Sequence, residues 1–276
     1  MVAPELVRGT SHGVTLLGDP SRPGGVTLAF TERTGGVSVD GFASLNLGDA
    51  CGDDSHAVRE NRRRALAAIG VGELAHRLLC PLQVHGDNVV TVTDANELLK
   101  AQEEARAGAD AIVCAVPDVP ALICVADCVP VVLVARGAFA LVHSGWKGTM
   151  ARISAKALHI LTEVASCRAS DVRAYIGPHI GVRDYQVSGD LAQRFADQFG
   201  TQVIECERNL NLGAAVVQTL VGAGVDPSMI AVCGQSTASH TDRFFSYRAQ
   251  DGRCGRHGVM ACISSNPTEQ QIEWQR

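Results

Sequence analysis

Three side chains of the sequence could bind a metal ion or act as nucleophiles, and each lies where an apolar stretch ends. They are His85, Cys128 and His143, and each is close to a glycine or a proline that shapes a turn. Strand ends beside turns are where α/β proteins place their active sites. We therefore predict that these three residues form one catalytic site. The segments that carry them span residues 82–86, 125–130 and 141–148.

The chemistry of imidazole and thiolate favours zinc at such a site. Two predicted strands, residues 131–135 and 138–142, lie between Cys128 and His143 and are joined by a short turn, so antiparallel pairing brings both ends together. Three protein ligands with one open position are typical of a catalytic zinc, which lowers the pKa of a bound water to about 7. Alternatively, each of these residues is a packed core side chain.

Charged and aromatic residues near these segments suggest further roles. Asp110 and Asp127 could orient a ligand histidine or act as a general base, or they could be turn carboxylates. Lys147, at the start of a predicted helix, could hold an anion such as phosphate, or face solvent. The aromatic residues of segment 244–248, beside Arg248 and Arg256, could stack a flat substrate and bind an anion, but a plain edge strand fits equally well.

The apolar pattern predicts the elements that must position these residues. Strands cluster in the middle of the chain, whereas strands and helices alternate near the end, which indicates a layered α/β or α+β fold with mixed β-sheets covered by helices. We predict one catalytic domain over residues 1–276, a frayed tail from Asn266 and an extended segment at 244–248. Predicted helices span residues 55–69 (capped by Ser55), 149–164, 188–199 and 210–223, and predicted strands span residues 24–30, 88–92, 111–116, 121–125, 131–135, 138–142, 172–176, 202–205, 230–233 and 258–263.

Composition restricts the class of protein. The 276 residues carry a formal net charge of -5, and no basic block suggests a nucleic-acid binder. The longest apolar run, residues 119–134, is interrupted by Asp127 and Pro130 and is too short for a membrane helix. The 10 cysteines form no CxxC pair and no disulfide scaffold. We therefore predict a cytoplasmic protein with reduced cysteines, and neither membrane nor nucleic acid as a partner.

Taken together, the motifs QVHG, ADCVP, HSGWKG, GPHIG and FFSYR followed by GR resemble the YfiH family. This family is also called the laccase-domain or polyphenol oxidoreductase family, and it includes the mammalian purine-metabolising protein FAMIN. The resemblance covers roughly residues 25–263. It implies a YfiH-like layered fold and a zinc ion held by His85, Cys128 and His143.

The resemblance also implies purine chemistry with nucleoside and phosphate as small-molecule partners. The expected reactions are phosphorolysis of adenosine, inosine, guanosine and methylthioadenosine, and deamination of adenosine. The predicted substrate-binding residues are Arg33, Ser44, Asn46, Asp110, Lys147 and Arg248. The chain departs from the family pattern at His179, where cysteine is frequent, at Lys147, where arginine is usual, and at Cys254, where threonine is expected. Lysine keeps the charge but lacks the bidentate fork of arginine.

Three other functions stay open from the sequence. A copper polyphenol oxidase (laccase) is one, and a His₂Cys site could bind copper. However, the 9 histidines include no HxH pair of the kind that multicopper oxidases use. A Cys-His hydrolase acting in peptidoglycan-precursor editing is the second, with Cys128 as its nucleophile. A metal-stabilised binding module is the third, although only three convincing ligands are present.

Overall fold

The computed structural model describes residues 3–265 and 272–275, which form two large sheets flanked by helices. The strands, numbered along the chain, are β1 (Val7–Ser11), β2 (Val14–Gly18), β3 (Val26–Thr31), β4 (Val89–Val92), β5 (Ala111–Cys114), β6 (Ala121–Val125), β7 (Val129–Ala135), β8 (Ala138–Ser144), β9 (Arg173–Ile176), β10 (Ile204–Glu205), β11 (Asn209–Leu210), β12 (Ile230–Val232), β13 (His257–Ile263) and β14 (Glu273–Trp274). The helices are α1 (Ser55–Ala68), α2 (Leu98–Ala107), α3 (Trp146–Met150), α4 (Ile153–Ala165), α5 (Gly189–Phe199) and α6 (Leu212–Gly222).

The first sheet is antiparallel and the second is mixed. The strand order is β14-β1-β2-β3-β13-β6 in the first and β12-β9-β7-β8-β5-β4 in the second. In the second sheet, β4 pairs with β5 and β12 with β9 in parallel, while the central pairs are antiparallel. The structure thus confirms the predicted α/β class with mixed sheets.

The sheets and helices stack in layers. Phe30 of β3 and Phe139 of β8 belong to the apolar core between the two sheets. Leu66 of α1 packs against the outer face of the first sheet, and Leu158 of α4 and Val216 of α6 pack against the outer face of the second. The central strands β5, β7 and β8 of the second sheet therefore have two buried faces and appear in the sequence as continuous apolar runs rather than as alternating ones.

The turn between β7 and β8 was predicted correctly. Ala135 pairs with Ala138 across it, and Gly137 adopts φ +73°, a conformation that favours glycine. Helix α1 begins as predicted, but Asp54 rather than Ser55 caps it by accepting from the backbone N–H of His56 and Ala57.

The single helix predicted over 149–164 is wrong. Two helices, α3 and α4, occupy this region, and Arg152 between them has a left-handed φ of +56°. The side chain of Thr149 accounts for part of this division, because its hydroxyl bonds the carbonyl of Gly145 at 2.9 Å and the hydroxyl of Ser144 at 2.8 Å. The short α3 is thereby fastened to the end of β8.

Two further predictions on the chain's second half need correction. Segment 244–248 is not extended, because backbone bonds from Phe244 to His240 and from Gly252 to Tyr247 close successive turns. The tail is not frayed throughout, since β14 pairs with β1 through Gly9 and Trp274; residues 266–271 lie outside the described part. None of the helices that the described residues form is both long and apolar enough to cross a membrane.

Candidate metal centre

The fold brings the three predicted ligands together at one end of the second sheet. His143 lies on β8, and its register partner on β7 is Pro130, two residues beyond Cys128. His85 comes from the connection that precedes β4 and has a left-handed φ of +58°. The hairpin of β7 and β8 therefore places two of the ligands, and a loop supplies the third.

The ligand atoms of His85, Cys128 and His143 all lie within 4.8 Å of one another. The Cys128 sulfur is 3.9 Å from Nε2 of His85, and the two imidazole rings meet edge to face with centroids 4.8 Å apart. His143 is buried, Cys128 is half-buried and His85 is exposed, so the cluster is open to solvent on one side. Two nitrogens and one sulfur at this spacing suit a tetrahedral zinc ion with one free position.

Asp110 orients both histidines from a position that solvent does not reach. Its carboxylate is fully buried and accepts from Nδ1 of His143 at 2.7 Å, from the N–H of His85 at 3.0 Å and from the N–H of Gly86 at 2.7 Å. A third backbone N–H, from Val84, is 3.3 Å away. Since the carboxylate accepts the hydrogen bond from Nδ1–H, the proton stays on Nδ1 and Nε2 of His143 is left to face the metal, which is a frequent arrangement around zinc.

The electrostatics of the cluster favour ionised ligands. Burial alone would raise the pKa of Cys128, but the neighbouring His143 and His85 outweigh it and lower this pKa to about 6. Burial would lower the pKa of His143, but the Cys128 thiolate and Asp110 raise it to about 9. For Asp110, burial is outweighed by hydrogen bonds from His143 and Gly86, which lower its pKa. Without a metal these shifts favour a Cys128 thiolate beside a protonated His143 imidazolium, and a divalent cation would replace the Nε2 proton of His143.

Gly145 leaves the space next to the ligand atoms free. It caps α3, and a Cβ at this position would lie 3.1 Å from both the Cys128 sulfur and Cδ2 of His85. The ring of His143 would be 3.9 Å away. A larger residue would press on two ligands, so the first glycine of the HSGWKG motif is needed to leave room for the ligand side chains.

Asp127, next to Cys128, joins the centre to the loops around it. Its carboxylate accepts from the hydroxyl of Thr237 at 2.7 Å and from the N–H of Arg248 at 2.6 Å. Its own carbonyl accepts from the N–H of Ile180 at 2.9 Å. These bonds fix the position of the loop that carries Cys128, so Asp127 orients this ligand.

Two of the predicted substrate-binding residues are connected to the centre. Lys147 follows the ligand His143 in the sequence, and the backbone N–H of Arg248 donates to Asp127, next to the ligand Cys128. Lys147 is exposed on α3, with Nζ 5.6 Å from the ring of Trp146. The Arg248 guanidinium donates to the carbonyl of Gln186 at 3.0 Å and lies 5.2 Å from the ring of Tyr185. Tyr185 was not predicted; burial first, and then the charge of Cys128, raise its pKa to about 12. The only sequence signal for it was its place soon after GPHIG.

Arg33, Ser44 and Asn46 lie in a second group of loops, residues 33–48 and 243–256, which we call the arginine loops and which also contain Arg248. Arg33 donates to the carbonyls of Ala43 at 2.8 Å and Thr241 at 2.7 Å, and its guanidinium lies 4.3 Å from the ring centroid of Phe245. The hydroxyl of Ser44 accepts from Gly36 N–H at 3.2 Å. Both side chains are half-buried, and Arg33 presents a cation beside an aromatic ring.

Asn46 is fully buried within the arginine loops. Its amide nitrogen donates to Asp53 at 2.8 Å and to the carbonyl of Gly48 at 3.0 Å. Its amide oxygen accepts from the N–H of Arg256 at 2.7 Å and from the N–H of Gly48 at 3.0 Å. Asn46 thus links the two arginine loops from inside, since its partner Arg256 is 210 positions away in the sequence.

Two of the departures from the family pattern occupy buried positions. Nδ1 of His179 bonds the carbonyl of Gly177 at 2.8 Å, and burial lowers the pKa of this histidine. Cys254 is 1% exposed, and its carbonyl accepts from the Arg256 guanidinium at 2.7 Å. Neither residue contributes a metal ligand among the described residues, where His85, Cys128 and His143 form the only such cluster.

Comparison with known proteins gives a consistent picture. A family described as multi-copper polyphenol oxidoreductase laccase matches residues 27–264. A purine nucleoside phosphorylase of Deinococcus radiodurans is 36% identical over 252 residues, covering 90% of this chain and 92% of the relative. The purine nucleoside phosphorylase YfiH of Escherichia coli is 31% identical over 254 residues, covering 85% and 93%.

Solved structures agree with these matches. The YfiH protein of Bacillus licheniformis superposes with a TM-score of 0.82 at 28% identity, covering 92% of this chain and 97% of that one. YlmD of Geobacillus stearothermophilus superposes with a TM-score of 0.81 at 29% identity, covering 95% and 100%.

Proposed function

The chain belongs to the multi-copper polyphenol oxidoreductase laccase family, in which YfiH is a relative, and on this basis we propose that it is a zinc-dependent purine nucleoside phosphorylase. The proposed substrates are adenosine, inosine, guanosine and methylthioadenosine with phosphate, and adenosine deamination is a proposed second activity. The observation that supports this most is the open His₂Cys cluster oriented by Asp110.

The residues present fit a zinc ion. His85, Cys128 and His143 would hold it, and when bound it would supply Lewis acidity for an oxygen nucleophile. Asp110 keeps the Nδ1 proton on His143, so that Nε2 stays available as a ligand. In phosphorolysis a phosphate oxygen attacks C1′ of the ribose while the bond to the purine nitrogen breaks, which produces ribose 1-phosphate and the free base.

Cations and aromatic rings of the metal centre and of the arginine loops would bind the two substrates. Lys147, Arg33 and Arg248 are the proposed phosphate-side and substrate-side cations, since each guanidinium or ammonium lies beside an aromatic ring. The rings of Tyr185 and Phe245 are flat surfaces of the kind on which a purine stacks. Deamination needs the same held base, with water attacking C6 and ammonia leaving.

We further propose that the chain acts as one catalytic domain. Cys128 lies in the short connection from β6 in the first sheet to β7 in the second, so the centre depends on both sheets. The 10 cysteines are all free, which fits a reducing compartment such as the cytoplasm.

A direct assay tests the proposed reaction. Zinc-loaded protein is incubated with adenosine and phosphate, and adenine, ribose 1-phosphate and inosine are quantified by chromatography. We expect the first two products to require phosphate, and we expect Cys128→Ser to abolish all three while Cys206→Ser, in an exposed turn, leaves them unchanged. If no product forms with any of the four nucleosides, the proposal fails.

The low pKa of Cys128 favours a second candidate, a Cys-His hydrolase. Alkylation separates the two roles: a nucleophile reacts with iodoacetamide in the zinc-loaded protein, whereas a ligand reacts only after chelation. The family description also leaves copper as a candidate metal, because the same donor atoms bind it. Metal analysis of protein prepared without added copper decides between zinc and copper.

A further inference from the structure

A second pair of cysteines lies behind the loop that carries His85. The segment that ends at Cys80 runs alongside β6, with a parallel bridge between Leu79 and Ala121 and a hydrogen bond of 2.9 Å from Leu122 N–H to the Leu79 carbonyl. Cys124 lies on β6, and both cysteines are half-buried beside the core under α1. Cys80 and Cys124 are therefore neighbours although 44 residues separate them in sequence.

Arg62 brings a positive charge to this pair. Its Nε donates to the carbonyl oxygen of Leu47 at 2.9 Å, and the Cys124 thiol donates to the same oxygen at 3.3 Å. The guanidinium also pairs with Asp49 at 3.1 Å. Because one carbonyl receives both groups, the guanidinium and the Cys124 sulfur lie side by side.

The two thiols differ in their tendency to ionise. The neighbouring Cys124 thiol, and then the charge of Arg62, lower the pKa of Cys80 despite its burial. The neighbouring Cys80 and burial raise the pKa of Cys124. A thiolate next to a protonated thiol is the arrangement in which one sulfur reacts with an oxidant and the other resolves the product.

We propose that Cys80 and Cys124 form a peroxide-sensitive dithiol, in which Cys80 is oxidised and Cys124 resolves it to a disulfide. In the first step the Cys80 thiolate attacks one oxygen of hydrogen peroxide, the O–O bond breaks, and Cys80 sulfenic acid forms with release of hydroxide. In the second step the Cys124 sulfur attacks the Cys80 sulfur, the S–O bond breaks, and the hydroxyl group leaves as water with the proton of the Cys124 thiol. The two sulfurs lose two electrons in total, and peroxide gains them.

The dithiol is linked to the metal centre by the main chain of Cys124. The amide of Gln83 donates to the Cys124 carbonyl at 2.7 Å and accepts from the Cys124 N–H at 2.8 Å. Gln83 precedes the ligand His85 by two residues. A change at Cys124 is therefore transmitted to the loop that holds a ligand, whatever reaction the centre catalyses.

Peptide mapping of the full-length, zinc-loaded protein tests the proposal. The protein is treated with hydrogen peroxide, blocked with N-ethylmaleimide and cleaved before aspartate residues, which isolates Cys80 in residues 54–86 and Cys124 in residues 118–126. We expect these two peptides to become linked and dithiothreitol to separate them. In Cys124→Ser we expect Cys80 to react with dimedone as a sulfenic acid, and in Cys80→Ser no linkage.

The matched control is Cys206→Ser, which removes an exposed cysteine outside the pair and should leave the linkage unchanged. The proposal is overturned if Cys80 and Cys124 are still alkylated under conditions that oxidise Cys206. Separate sulfinic acids at the two positions would overturn it as well. Neither result depends on purine chemistry, so the test is independent of the proposed function.

Discussion

The metal centre and the arginine loops meet around Asp127 and Arg248 but are built on different supports. Two ligands of the centre lie on or directly before paired strands, and one buried carboxylate, Asp110, orients the histidines. The arginine loops contain almost no regular structure, and side-chain-to-backbone bonds from Asn46 and Arg33 hold them. The paired strands therefore position the metal ligands through the fold itself. The loops instead need hydrogen bonds from their own polar side chains, and those side chains are then not free to bind a substrate.

The largest effect that tests this difference is expected from Asn46→Ala. Four hydrogen bonds would be lost, two with buried groups of Gly48 and one each with the half-buried Asp53 and Arg256. A buried unsatisfied group costs about 1–3 kcal/mol and a half-buried one less, so we expect the free energy of unfolding to fall by about 3–4 kcal/mol. Urea denaturation measures it, with Asn96→Ala at an exposed site as the control. Zinc affinity of the folded variant should be unchanged; a parallel loss of zinc would show that the two regions share one support.

Asp110→Asn should act mainly on the metal centre, so its zinc affinity should change where that of Asn46→Ala does not. The neutral amide cannot accept the His143 proton and all the backbone N–H groups at once, so we expect zinc affinity to fall about 10–100-fold. Competition with a zinc-binding dye measures this. Asp87→Asn, an exposed carboxylate on the same connection, is the matched control. Unaltered affinity in Asp110→Asn would mean that the register of the strands alone orients the ligands.

The acid sensitivity of the folded protein should come in part from His257, the first residue of β13, directly after the arginine loops. Burial, and then the charge of Arg256, lower the pKa of His257 from 6.5 to about 3. Between these values the unfolded chain binds a proton that the folded chain does not, so the free energy of unfolding falls as pH falls below about 6.5. From pH 7 to pH 5 this amounts to about 2 kcal/mol.

His257→Met should remove this dependence, so the variant should lose about 2 kcal/mol less than the parent protein between the two pH values. Urea denaturation of the zinc-free proteins at pH 7 and pH 5 measures the difference. The same change at the exposed His159 serves as the control. Equal losses in parent and His257→Met would contradict the assignment.

The smallest effect is expected at Gly145, where the change concerns only the space beside the ligands. Its φ of −73° suits any residue, but a Cβ would contact Cys128 and His85 at 3.1 Å. We expect Gly145→Ala to weaken zinc binding about tenfold, which corresponds to about 1.4 kcal/mol. Gly189→Ala, whose Cβ would meet nothing within 4 Å, is the control. Normal zinc affinity would show that the ligands can move aside.

The same contrast explains which features the sequence could predict. The apolar runs of β7 and β8 with a glycine turn between them predict the pairing that brings Cys128 and His143 together. The role of Asn46 was hidden because its partner Arg256 is 210 residues away. Local patterns indicate strands and their ends, but they contain no information on which distant backbone groups a loop residue will satisfy.

Two elements were missed or misread for reasons of packing. Helix α2 was not predicted, because its buried face consists only of Ala101 and Ala105, which give a weak apolar signal. Segment 244–248 resembled a strand because of its aromatic residues, yet Phe244 and Phe245 are both buried, which an alternating strand with one exposed face does not allow. The prediction of the metal ligands did not depend on either element.

The place of Cys128 between the two sheets has a consequence for the order of folding. The segment leading to His85 also runs from β6, in the first sheet, to Asp110, directly before β5 in the second. Full positioning of the three ligands therefore depends on contacts from both sheets. Zinc should therefore bind only after long-range docking, and should slow unfolding of the finished protein rather than accelerate its early collapse.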